Sequence, residues 1–92
     1  MKSFVYPAIF IKDEEDNGYK VLFPDLEITT DGQFVEEAFL YARELLKAYF
    51  VYVVKYDLDF NMPTEFDKIK KHAKPGETIM LISADVTKKD IA

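Results

Sequence analysis

The sequence predicts an α+β fold in which a three-stranded antiparallel meander is followed by a long helix, a short helix and a final strand, in the order β-β-β-α-α-β. Three observations carry this reading. Asn17-Gly18 stands between two runs of branched and aromatic residues, the strongest short-range hairpin signal because both residues tolerate positive φ. Apolar residues recur at threes and fours from Ala38 to Tyr56, the period of a helix with one buried stripe. A further strand-like run, Thr78 to Val86, follows Pro75-Gly76. Residues 1–92 form one domain, a length that fits one core.

The first strand is read at Phe4 to Lys12, with Phe4, Tyr6, Ala8 and Phe10 on one face and Val5, Ile9 and Ile11 on the other. A strand apolar on both faces is central in its sheet or has its second face covered by a partner. Tyr19 to Phe23 is the second strand, ended by Pro24, which cannot donate to a ladder. Leu26 to Thr30 is a short third strand ended by a turn at Asp31-Gly32. The long helix begins near Gln33 and runs to about Tyr56, with Ala38, Ala42, Leu45, Tyr49, Val53 and Tyr56 as its buried stripe. Glu36 and Glu37 in the first turn complement the positive end of the helix dipole. Phe39, Leu40 and Val51 fall outside the stripe, so part of this helix is apolar nearly all round and packs under a second layer or on another subunit. Asn61-Met62-Pro63-Thr64 breaks the helical pattern, and Thr64 with Asp67 reads as the capping box of a short helix from Thr64 to His72. Because helices precede the closing strand, a crossover that pairs it parallel to the first strand is expected.

Charge and composition exclude several functions. The formal charge is −5, with 17 Asp and Glu against 12 Lys and Arg. Gripping phosphates requires the opposite balance, so direct binding of nucleic acid is not expected. No cysteine is present, which removes disulfides and thiolate metal sites. Eight Phe and six Tyr supply a core, so disorder is not expected. No targeting segment is apparent, and the uncharged run Ala48 to Val54 is far short of the roughly 20 residues that span a bilayer; a cytoplasmic location is the default. Stability at this size is thin, and a homodimer or tetramer is expected, with Phe39, Leu40 and Val51 as candidate interface residues.

The arrangement of a meander, a helix and a returning strand is the first half of a ribonuclease-H-like fold. Nucleases of that fold hold two metal ions on convergent carboxylates, one of them within the first strand. Here the first strand carries none; Asp13, Glu14, Glu15 and Asp16 lie in the hairpin turn, and Asp25 and Asp31 follow later strands. No catalytic or metal-binding residue is therefore assigned, and no cofactor is expected. A nuclease reading would require divalent-ion-dependent cleavage lost in Asp25→Asn or Asp31→Asn. His72 is the one histidine and closes a lysine-rich segment with Lys68, Lys70, Lys71 and Lys74, a place where it complements a helix dipole. Ser3 and Ser83 have no neighbouring base, and Gly18, Gly32 and Gly76 are isolated turn glycines, not a phosphate loop. The acidic turn has two readings: a solvated hairpin tip, or a patch that meets a basic groove in place of phosphates.

Tyr6-Pro7-Ala8-Ile9-Phe10, Gly18-Tyr19, Phe23-Pro24-Asp25-Leu26, Glu36-Glu37-Ala38, then Ala42, Glu44 and Leu45, and finally Met62-Pro63, form an ordered set that resembles HicB-like antitoxins to about Val86. The resemblance implies a partial ribonuclease-H fold without nuclease activity. It also implies a partner: a HicA-type toxin, a small basic ribonuclease that the antitoxin neutralises, with the antitoxin self-associating. The acidic residues Asp13, Glu14, Glu15, Asp16, Asp25 and Asp31 are the candidate partner-binding set. Two departures stand out. Where the family carries a Pro-Gly-Cys turn after its Phe-Pro-Asp-Leu, this chain has Glu27-Ile28-Thr29. The chain also ends six residues after Val86, too few for a helix-turn-helix or ribbon-helix-helix module, so no direct DNA binding is expected from this chain alone. The alternative is an orphan homo-oligomer of the same fold, regulatory or structural, without a toxin partner.

Overall fold

The computed structural model describes residues 1–15 and 17–92. Strands β1 (Lys2–Lys12), β2 (Tyr19–Phe23) and β3 (Ile28–Gly32) are followed by helix α1 (Val35–Tyr56), helix α2 (Phe66–Lys71), strand β4 (Glu77–Val86) and a final turn of helix, α3 (Lys88–Ile91). The four strands make one sheet in the order β3-β2-β1-β4. One face is covered by α1. Tyr6, Ala8 and Phe10 of β1, Val21 and Phe23 of β2, and Ile82, Ala84 and Val86 of β4 bury against Ala38, Ala42, Leu46, Phe50 and Val53. The alternation read from β1 is therefore the observed one, and Phe4, Tyr6, Ala8 and Phe10 form its core face.

The closing strand is antiparallel to β1, not parallel: Lys2 pairs with Val86 and Ile11 with Glu77. The path after α1 gives the reason. The C-terminal half of α1 lies over the start of β1, where Phe50 stacks on Phe4. A direct return from there would enter the sheet parallel to β1. Residues 57–76 instead travel back along the sheet, so that Glu77 enters opposite Ile11. Periodicity marked the intervening helix but not the length of this return.

Other boundaries shift for local reasons. The third strand starts at Ile28, after a turn in which the amides of Leu26 and Glu27 both donate to the Phe23 carbonyl at 3.2 and 2.9 Å. Leu26 is buried from within that turn, and Asp31 and Gly32 belong to the strand. Gly32 has a packing role in place of a turn role. A Cβ there would lie 2.5 Å from the Ala38 backbone nitrogen, so β3 and the first turn of α1 touch only because the side chain is missing. The α1 stripe runs one position later than the sequence reading at two of its steps. Leu46 and Phe50 are buried, Leu45 and Tyr49 are half-buried, and Tyr56 is 56% exposed. The helix ends on Asp57 at φ 51°, with the Leu58 amide donating to the Val53 carbonyl at 2.9 Å, a left-handed termination.

The capping box assigned to Thr64 and Asp67 does not form. Helix α2 starts at Phe66 behind Glu65 and has no side-chain cap, because Thr64 is engaged elsewhere. The same Thr-x-x-Asp pattern does form a box at Thr87 and Asp90, where the Thr87 amide donates to the Asp90 carboxylate at 2.8 Å. Lys47 of α1 reaches Asp90 at 3.4 Å. The Thr87 hydrogen bonds, and then the Lys47 charge, hold the Asp90 carboxyl below its ordinary value. What Asp90 contributes to docking α3 is present at neutral pH and is lost as pH falls through that lowered value.

Two substitutions test these local constraints. Gly32→Ala drives a methyl into backbone and lowers stability by about 3 kcal/mol, the upper range of overpacking; a urea midpoint within experimental error of the parent contradicts the close approach. Glu27 is exposed and sits at φ 56°, a conformation that costs an L-residue about 1–2 kcal/mol. Glu27→Gly relieves more than the added chain entropy removes, and thermal denaturation is expected to show a gain of about 0.5–1 kcal/mol.

Candidate protein-binding surface

Residues of the acidic set fall at two ends of the molecule. Asp13, Glu14 and Glu15 occupy the β1–β2 connection, where the Asp13 amide donates to the Gly18 carbonyl at 2.7 Å and the Asp13 carboxylate accepts from the Glu15 amide at 3.1 Å. Asn17 alone in this connection takes positive φ among the described residues, at 55°. Asp16 lies outside the described residues. Asp31 in β3 is registered opposite Lys20 of β2. Asp13, Asp31 and Glu37 line one shallow groove, together with Lys20 and Gln33. At its wall the Glu37 carboxylate accepts from the Gln33 amide at 2.9 Å, closing the entry to α1. The structure thus brings Asp13 and Asp31 together with Glu37, which the sequence marked only as a dipole partner. Three carboxylates on one rim with a single lysine beside them make the local potential negative.

Asp25 is elsewhere and differently employed. It follows β2 at the far end of the sheet, where its carboxylate accepts from the Thr64 amide at 2.9 Å and from the Thr64 hydroxyl, while its carbonyl accepts from the Asn61 side chain at 2.9 Å. Tyr6 completes the arrangement by donating its hydroxyl to the Asn61 carbonyl at 2.6 Å. Four residues far apart in sequence thereby tie the segment after α1 to the sheet. Burial first, and then the charges of Asp25 and Tyr49, push the Tyr6 phenol up to about 12.

Of the three residues set aside as interface candidates, Leu40 is 51% exposed, whereas Phe39 and Val51 are half-buried against the core. What the periodicity missed is a tyrosine ridge on α1. Tyr52 and Tyr56 are both more than half exposed, with ring centroids 4.8 Å apart, and the Lys55 ammonium lies 5.8 Å from the Tyr56 ring. The spacing of Tyr56 from Val53 fits the buried stripe, but the helix terminates at Asp57 and the Tyr56 ring packs on Tyr52 at the surface. Lys68, Lys70, Lys71 and His72 lie on or at the end of α2, and Lys70 extends over the Phe66 ring at 5.9 Å.

Among the described residues, no three His, Cys, Asp or Glu side chains converge as metal ligands, and no helix is long and apolar enough to cross a membrane. Asp25 and Asp31 stand near opposite ends of the β2–β3 hairpin, and Asp25 is occupied by Thr64.

No protein-family model matches the sequence, and no curated protein matches it either. Solved structures do. A chain of a toxin–antitoxin complex from Streptococcus pneumoniae superposes with a TM-score of 0.76 at 23% identity, over 91% of this chain and 70% of that one. The Burkholderia pseudomallei antitoxin HicB superposes with a TM-score of 0.77 at 22% identity, over 96% of this chain and 67% of that one. This chain has the fold of a HicB antitoxin. The HicB-like resemblance therefore holds for the fold, while the expected parallel closing strand does not.

The phenol of Tyr6 provides a test of the tie. Its folded value lies above the ordinary value of 10, so its contribution is complete below pH 10 and is lost as pH rises from 10 towards 12. Urea midpoints at about pH 9 and about pH 11 are expected to differ less in Tyr6→Phe than in the parent. At neutral pH the same variant, which leaves the Asn61 carbonyl short of a donor, loses about 1 kcal/mol. An unchanged pH dependence contradicts the assignment.

Proposed function

We propose that this chain is the antitoxin of a type II toxin–antitoxin system, neutralising a small basic HicA-type ribonuclease by binding it, without catalysis of its own. The observation that carries the reading is the superposition over more than nine-tenths of the chain on HicB and on a chain of a toxin–antitoxin complex. The net charge of −5 supports it, as does the rim of Asp13, Asp31 and Glu37, with Glu14 and Glu15 following Asp13 in the β1–β2 connection. A ribonuclease must hold phosphates, and the groove that does so is basic. A carboxylate rim competes for that groove through the same charge attraction, and its pairs fix orientation and speed encounter. Self-association belongs to the same proposal: Val5 and Leu81 are about half exposed on the sheet face turned away from α1, and covering such residues is what association achieves.

The test is co-expression with the small basic protein encoded beside it. The expected result is a stoichiometric complex in which toxicity is suppressed, with binding that weakens as salt rises. Replacing Glu14, Glu15 and Asp31 together by Lys is expected to weaken binding by at least about tenfold, equivalent to about 1.4 kcal/mol, with the circular dichroism unchanged. Full affinity in the triple variant removes the acidic rim from the interface. Absence of any complex removes the toxin itself and leaves the orphan homo-oligomer.

A further inference from the structure

Between α1 and β4 the chain is held in two different ways. Its first part is pinned: Phe60 packs on Phe4 and Phe50, and Asn61 and Thr64 are tied to Tyr6 and Asp25. Residues 65–76, which carry α2, are held far more lightly. Phe66, Ile69 and Ala73 share one side at helical spacing and are only half-buried, and α2 has neither a buried residue nor a side-chain cap. Six residues make too short a helix to persist without packing. The other side carries Lys68, Lys70 and Lys71, all exposed.

This segment runs beside the start of β4, where Phe66, Lys70 and Ala73 flank Glu77, Thr78 and Ile79. Lys74-Pro75-Gly76-Glu77 then closes a turn into the strand. The Glu77 amide donates to the Lys74 carbonyl at 3.1 Å, and the Lys74 amide donates to the Glu77 carboxylate at 2.9 Å. Gly76 takes φ 86°, which the third position of a type II turn requires after proline. A Cβ at Gly76 would meet no atom within 4 Å, so glycine is there for its backbone freedom alone. Because its amide bonds Lys74, Glu77 presents its backbone away from β1. Outward positions alternate along a strand, so Ile79 is the next one. β4 is bonded to β1 on one side only, and an uncovered edge of that kind accepts further strands.

We infer that residues 65–76 are a strap that lifts off β4 as one unit while the sheet stays folded, turning about Glu65 at one end and Gly76 at the other. Closed, the strap guards the outward edge of β4 at Glu77 and Ile79, since a covering helix or loop keeps other strands from adding there. Opening gives up the half-buried side of α2 and the turn at Gly76. It leaves the pairing of β1 with β4 and the stack of Phe50 on Phe4 intact. Units with so little buried apolar contact open well below the free energy of global unfolding. The strap depends neither on the acidic groove nor on the antitoxin reading.

Hydrogen exchange of the whole chain, resolved by residue with NMR at low urea concentrations, tests the strap. The amides of Ile69, His72 and Ala73 donate to Glu65, Ile69 and Lys70, and together with the Glu77 amide they report closure. They are expected to exchange at one common opening, more often than the β4 amides bonded to β1 and with a much weaker dependence on urea. Gly76→Ala places a Cβ at positive φ and is expected to speed exchange of these amides by roughly fivefold or more, with the sheet amides unchanged. Exchange in the parent that follows the sheet in rate and urea dependence overturns the strap, because the segment then opens only with the domain. Openings that differ from one reporting amide to the next overturn the single unit, as does equal acceleration of the sheet amides in Gly76→Ala. Aggregation followed by thioflavin fluorescence is expected to start sooner in Gly76→Ala; a lag equal to that of the parent overturns the guarding role.

Discussion

Phe50 is the residue on which the packing of the two layers depends. Its ring lies flat on Phe4 at 3.9 Å with an interplanar angle of 6°. It meets the edges of Tyr49 and Phe60 at 5.0 and 5.2 Å, and Tyr6 lies tilted at 5.2 Å. One side chain thus joins the helix that carries it, the strand beneath it and the segment that leaves the helix. Offset and edge-on aromatic pairs each add about 0.5–1.5 kcal/mol beyond the area they bury. In a domain of this size, where burial is limited by surface-to-volume scaling, such a cluster is large against the few kcal/mol of net stability that remain. It also fixes the direction of the chain. With Phe60 held against Phe4 and Phe50, the residues after α1 begin their return at the start of β1, and Tyr6 and Asp25 hold them there through Asn61 and Thr64.

What the sequence makes legible follows from how local the governing interaction is. Alternation in β1 and the turn at Asn17-Gly18 are local, and the meander stands. The end of α1 near Tyr56 is also local, through the left-handed Asp57. The direction of β4 is not, because it is decided by hydrogen bonds between residues 36, 39 and 55 positions apart, which no period reveals. The two Thr-x-x-Asp patterns make the same point in miniature. Both satisfy the capping rule, but Thr64 is held by Asp25, whereas Thr87 bonds Asp90. Gly32 is legible as a glycine position but not as the reason for one, since the clash it avoids is with Ala38 of a different element. Of the acidic set, the sequence shows the carboxylates of the hairpin and of β3 but not that Glu37 joins them, nor that Asp25 is drawn away to tie down the return.

The acidic groove and the tie that holds the return after α1 stand at opposite ends of one hairpin. The groove is built from the β1–β2 connection, β3 and the entry to α1, whereas Asp25 lies at the β2–β3 turn, where it holds Asn61 and Thr64. Carboxylates gathered on one rim repel one another, and that repulsion is opposed by packing that lies elsewhere, in the Phe50 cluster. Sites that share no partner change stability independently. Charge at the groove is therefore separable from the interactions that fix the fold: substitutions there alter the field of the surface, while substitutions at Tyr6, Asp25 or Phe50 alter the path of the chain.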